Sequence, residues 1–208
     1  MSFTLSHFPH WDQAVSELTA ADPVMADLIS QFPGERLEPK GEGFETLIRA
    51  IVGQQISVKA AQAVWDRTVA SVGSITPSAF LEADEEQLRA CGLSRQKVRY
   101  LRGIAQEPDR CDPLHLSSLS DAAVLAELTA YKGVGEWTAQ MFMMFTLCRP
   151  DILSLKDIGL RRAVERHYAE GRRLDDGEIE AIAEPWRPWR SVATWFLWRS
   201  LDPIPVAY

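Results

Sequence analysis

Tyr131-Lys132-Gly133-Val134-Gly135-Glu136-Trp137-Thr138-Ala139, taken with Asp157 lying 22 positions beyond Gly135, decides how this 208-residue chain is read. Two glycines flanking one aliphatic residue make a turn too tight for side chains, and helical sequence starts immediately after it. Such a turn leaves backbone N–H groups pointing outward at the positive end of a helix dipole. That end suits a phosphate and is indifferent to base sequence. Gly-x-Gly alone occurs in many ordinary helix–turn–helix connections. Here apolar helical sequence lies on both sides, and an acid follows the next helix.

Working outward, the helical period dominates and strand signals are scarce. Residues 10–31 carry Trp11, Val15 and Leu18, and Asp22-Pro23 then restarts a helix with Val24, Met25, Leu28 and Ile29. The Gly/Pro-rich piece 33–43 reads as a connector. From Phe44 the apolar residues Leu47, Ile48, Ile51 and Val52 recur at helical spacing. Gly53-Gln54-Gln55-Ile56 breaks that pattern, and Ser57 is predicted to cap a helix from Val58 to about Val69. Further helices are predicted at 77–90, 94–106, 120–131, 136–147, 158–169, 176–183 and 188–200. The 136–147 stretch is apolar nearly all round, which predicts burial. The expected fold class is all-α, with at least nine helices and short loops.

Composition excludes several classes. An apolar content of 46% supports a real core in one domain or two small lobes. Cys91, Cys111 and Cys148 are odd in number and widely spaced, so they suggest neither a disulfide framework nor a structural metal site. The N-terminus lacks a basic segment followed by an apolar run, and no apolar stretch reaches membrane-spanning length. The expected location is the cytoplasm. The net charge of −7 is unevenly spread: 1–130 hold 11 basic against 18 acidic residues, and 131–208 hold 11 against 11. Within 87–110, Arg89, Arg95, Lys97, Arg99, Arg102 and Arg110 face only two acids, so a local basic surface and modest non-specific DNA affinity are expected.

Three separated blocks resemble the helix–hairpin–helix DNA glycosylases, and within them the 3-methyladenine DNA glycosylase II branch. They are Phe44 to Ala61, the hairpin block 131–142, and Trp186-Arg187-Pro188-Trp189-Arg190-Ser191 onward to Trp198. The likeness spans roughly 8–201 and corresponds to a minimal helical form, without the N-terminal β-rich domain of some bacterial members. It implies a two-lobed fold, with 44–148 as the lobe containing the hairpin, 1–43 plus 149–208 as the second lobe, and an active-site cleft between them. It also implies double-stranded DNA containing damaged bases as the partner, and a protein acting as a monomer.

What the resemblance implies for the site can be set out residue by residue. Bifunctional members carry a Schiff-base lysine where this chain has Trp137, and Lys132 lies five residues earlier, so monofunctional hydrolysis is expected. An iron–sulfur cluster needs four clustered cysteines, so none is expected, and no cofactor is required. A monovalent cation, sodium or potassium, would bridge hairpin backbone and DNA phosphate. The phosphate contact falls to the backbone of Gly133, Val134 and Gly135. Asp157 is the catalytic acid of the resemblance, although its position before Ile158-Gly159-Leu160 also reads as an N-cap. The two roles are compatible, because a helix N-terminus stabilises the anion that an oxocarbenium-like sugar requires.

Trp137 and Trp198 are placed at the base pocket, where a tryptophan face attracts a cationic alkylated purine. Met141 and Ile158 stand where some members have tyrosines. Gln55, or its neighbour Gln54, would fill the hole left in the DNA stack when a nucleotide is flipped out. Trp186 and Trp189 are expected in the core, and Arg190, which could bridge acids across lobes, is read as structural. His7, His10, His115 and His167 have no spacing for zinc or a triad. Two alternatives stay open: a non-catalytic helix–hairpin–helix DNA-binding protein in which Asp157 only caps, and a glycosylase for oxidised or mismatched bases.

Overall fold

A computed structural model describes residues 8–39, 42–56 and 58–201. Among them every regular element is a helix. The Ser57 cap predicted from the sequence lies outside the described residues. Contacts divide the described chain into two units, residues 42–147 and residues 8–39 with 148–201.

The chain begins in the discontinuous unit with α1 (Trp11–Ala21) and α2 (Pro23–Ser30). Trp11, Ala14 and Leu18 form the buried stripe of α1. Asp22 stops that helix and starts the next: its carboxylate accepts from Val24 N and Met25 N, and Pro23 takes the first helical position, where no N–H is needed. The continuous unit follows, with α3 (Gly43–Gly53), α4 (Val58–Val72), α5 (Pro77–Glu82), α6 (Glu85–Ala90), α7 (Arg95–Gln106), α8 (Pro113–Ser117), α9 (Asp121–Thr129) and α10 (Glu136–Phe145). Its core is built from Leu47, Ile48 and Ile51 of α3, Phe80 of α5, Leu101 and Ile104 of α7 and Phe142 of α10, all buried.

The chain then returns to the first unit with α11 (Ile158–Tyr168), α12 (Asp176–Ala183) and α13 (Arg190–Arg199). Trp11 packs edge-on to Trp195 at 5.2 Å between ring centroids, which clamps α1 against α13. Trp186 and Trp189 are buried, in line with their core reading.

Two expectations about the elements are corrected. The stretch 77–90 is two helices, because Asp84 interrupts it and caps α6 through Glu86 N and Gln87 N. The short α8 escaped the periodicity, since five residues make too little of a repeat, although Asp112 capping Leu114 N before it is a start signal. Arg190 has a structural role: it pairs with Asp151 of its own unit, Nε to Oδ1 at 2.6 Å and Nη2 to Oδ2 at 3.0 Å. Arg187 joins the same carboxylate at 2.6 Å.

Candidate active site

Asp157 is shaped by the fold as a helix cap. Its backbone N–H donates to Ser154 O at 2.9 Å, which closes the turn leading into α11. Its φ of −77° and ψ of 117° are those of an N-cap, and Leu160 N donates to Oδ1 at 2.6 Å. The Trp198 indole N–H, delivered by α13, donates to the same Oδ1 at 2.8 Å. Acid and tryptophan are 4% and 5% exposed. A carboxylate hidden from water is costly unless hydrogen-bonded, and here two N–H donors and a helix N-terminus all stabilise negative charge. Because both donors meet on one oxygen, the plane of the carboxylate is fixed.

Gly159 completes this corner and went unread in the sequence. A Cβ there would lie 3.0 Å from Trp198 Cδ1, 3.1 Å from its Nε1 and 3.1 Å from Asp157 Oδ1. Ile158, one residue before it, is 64% exposed. The exposed Lys156 is the nearest amine in sequence.

The hairpin lies in the other unit. Gly133 has φ 93°, a conformation favouring glycine, and a Cβ there would strike the Tyr100 ring at 2.2 Å. Gly135 is the N-cap of α10 with φ −90°, and a Cβ there would meet nothing within 4 Å. The Val134 N–H is spent within the turn on Tyr131 O at 3.1 Å, and its side chain is buried. Tyr131 anchors the turn from below, its hydroxyl donating to Glu107 O and burial pushing its ionisation far up. On α10, Trp137 is half-buried and Met141, one turn on, is buried.

The two glutamines have different surroundings. Gln54 Nε2 donates to Gly133 O at 2.9 Å, which ties the α3–α4 loop to the hairpin within one unit. Gln55 is exposed and takes φ 61°, a left-handed backbone at the turn of the loop. Lys97 holds this loop from α7, its ammonium donating to Val52 O and Gln54 O, both at 2.8 Å. These carbonyls close the C-terminus of α3, where a cation is favoured. Burial pulls the Lys97 pKa below the usual ammonium value. Lys97 was counted in the sequence only as one of six basic residues, and no local pattern marks it as a cap for a helix some forty residues earlier.

The three thiols are free and buried. Burial pushes Cys111 up to about 11 and Cys148 up to about 12, so neither is a thiolate nucleophile at neutral pH.

A profile of the HhH-GPD superfamily base excision DNA repair protein family matches residues 48–188, and the chain belongs to that superfamily. Among its relatives is DNA-3-methyladenine glycosylase 1 of Schizosaccharomyces pombe, 29% identical over 85% of this chain and 80% of the relative. The solved DNA-3-methyladenine glycosidase of Bacillus halodurans superposes with a TM-score of 0.82 at 34% identity, covering 90% of this chain and 88% of that one. The S. pombe enzyme Mag1, solved in complex with abasic DNA, gives 0.80 at 28% identity, covering 90% and 96%. Both the helical fold and the helix–hairpin–helix resemblance are thereby shown. No helix among the described residues is long and apolar enough to cross a membrane.

Proposed function

We propose that the protein is a monofunctional DNA glycosylase that flips alkylated bases out of double-stranded DNA and hydrolyses the N-glycosidic bond, leaving an abasic site. The observation that carries this reading is the Asp157 corner: a buried carboxylate, oriented by Leu160 N–H and Trp198 N–H, at the start of a helix. A fixed anion stabilises the positive charge that develops on the sugar, and it orients or deprotonates the attacking water. An alkylated purine such as 3-methyladenine or 7-methylguanine carries positive charge, so it leaves without a dedicated general acid. Trp198, beside the acid, is the aromatic wall for that base, with Ile158 next to it in sequence. Trp137 and Met141 are the contacts the hairpin unit would supply.

DNA is held by the hairpin. At Gly135 neither backbone conformation nor packing demands a glycine, and Ser, Thr, Asp or Asn would cap α10 better. A phosphate approaching the backbone accounts for the missing side chain. Val134 N–H closes the turn, so the phosphate donors are the N–H groups of Gly133, Gly135 and the first turn of α10. Tyr131 O and Gly133 O accept Val134 N–H and Gln54 Nε2. Each of these oxygens keeps a second lone pair, and a monovalent cation would be held by such hairpin carbonyls. Gln55 is the side chain exposed to fill the gap in the stack, and Gln54 is the tie that supports it.

The test is to incubate the protein with methylated duplex DNA and identify released bases by mass. Free 3-methyladenine or 7-methylguanine, an intact abasic strand and no borohydride-trapped adduct are expected. A trapped adduct would move the nucleophile to an amine, Lys156 being the first to examine. Binding without release would leave a DNA-binding protein in which Asp157 only caps.

A further inference from the structure

Gly159 stands in the first turn of α11 with φ outside the left-handed region, so its backbone would accept any residue. Helix propensity argues against it, since glycine is among the poorest residues inside a helix and alanine the best. What the glycine alone provides is the missing Cβ. That atom would sit 3.0–3.1 Å from Trp198 Cδ1 and Nε1 and from Asp157 Oδ1. Such approaches are tighter than ordinary carbon contacts, and all three fall on the two partners of one hydrogen bond. To admit a Cβ, one of these partners must shift by a few tenths of an ångström. Asp157 is pinned by Leu160 N at 2.6 Å. Trp198 is buried on α13.

We infer that Gly159 is a positioning residue for the acid: it opens the space through which the Trp198 indole reaches Asp157. Trp198 therefore orients the carboxylate with its edge, separately from anything its face does to a base. This rests on the proposed catalytic role of Asp157. It goes further by assigning that orientation to a glycine–tryptophan pair, and by predicting that fold stability and turnover separate when the pair is disturbed.

Two variants test it, measured by single-turnover base release, binding to an abasic-site analogue, melting temperature and the indole N–H resonance of Trp198 in protein carrying ¹⁵N-labelled tryptophan. Gly159→Ala adds the Cβ and improves helix propensity. Its melting temperature should hold, its indole resonance should move, and base release should slow by about tenfold or more, the scale of losing a hydrogen bond to a charged group. Trp198→Phe keeps a ring and removes the N–H, and should slow release to a similar extent with abasic binding retained. Once the indole is gone the Cβ has less to displace, so adding Gly159→Ala to Trp198→Phe should cost little more. A parental rate in either single variant overturns the inference, as does full additivity of the two losses. Should Gly159→Ala fail to fold, Trp198→Phe still decides. Asp157→Asn is run beside them: if it releases bases at the parental rate, the catalytic reading itself falls, whereas an inactive Asn variant beside a fully active Gly159→Ala removes only the positioning role.

Discussion

Two buried aspartates in the discontinuous unit, Asp22 and Asp157, look alike at first. Each caps the helix that follows it, and each accepts an indole N–H, from Trp186 at 2.8 Å and Trp198 at 2.8 Å. They differ in how the donors are shared. At Asp22, Oδ1 takes Val24 N and Met25 N, while Oδ2 takes the Tyr168 hydroxyl at 2.7 Å and the Trp186 indole. Four donors saturate both oxygens, and the group serves as a knot joining α2, α11 and the segment before α13. At Asp157 the cap donor and the indole converge on Oδ1. At Asp22 the donors tie three elements together; at Asp157 the cap and the indole together orient one oxygen. Burial and capping do not by themselves distinguish a structural acid from a catalytic one.

The largest expected effect separates the two acids by readout. Asp157→Asn should lower single-turnover base release by at least about two orders of magnitude, while Asn still caps α11 and the protein stays folded. Asp22→Asn should do the reverse, since its amide sets N–H against N–H. It should cost about 1–3 kcal/mol of stability, measured by denaturant titration, with release intact below the transition. If the Asn variants changed the same quantity, the contrast between the knots would be wrong.

A smaller effect compares the tryptophans. Trp186→Phe should lower stability by about 1–3 kcal/mol through the lost hydrogen bond to Asp22, whose Oδ2 keeps the Tyr168 hydroxyl, and the lost ring volume, with base release per folded molecule unchanged. Loss of release beyond the folded fraction would mean that the Asp22 knot reaches the chemistry.

The smallest effect is set by pH. His167 bonds Ser200 Oγ at 2.8 Å, and burial, then the Arg166 charge, lower its pKa from 6.5, with Asp27 opposing. The unfolded chain therefore takes up a proton more readily than the folded one. Stability from this group is full above pH 6.5 and declines as pH falls through and below that value. His167→Gln should flatten that part of the curve, and an unchanged slope would remove the histidine from the account.

Much of the fold was legible because helical periodicity is local: the break at Asp22-Pro23 and the start at Asp157 both follow from residues within one turn. The splitting of 77–90 was not, since Asp84 within Glu82-Ala83-Asp84-Glu85 reads as helix surface until its carboxylate is seen capping. Asp157 was legible as a cap and, through the hairpin resemblance, as an acid. The indole that orients it was legible only as a tryptophan of that resemblance, because 41 residues separate the two. Gly159 left one signal, a glycine in the first turn of an otherwise sound helix, and its meaning depends on a ring arriving from another helix. The Asp22 knot reaches 146 and 164 residues along the chain, beyond any sequence period.

The discontinuous unit also has a consequence in time. Translation delivers α1 and α2 first, then all eight helices of the continuous unit, and only then α11 to α13. Domains fold as units when their segments are available. On the ribosome, the hairpin unit can close while Asp22, Trp11 and Glu35 still await Trp186, Trp195 and Arg199. Asp157 and the Trp198 indole that orients it come after that unit, so the hairpin can form before the proposed acid is in place.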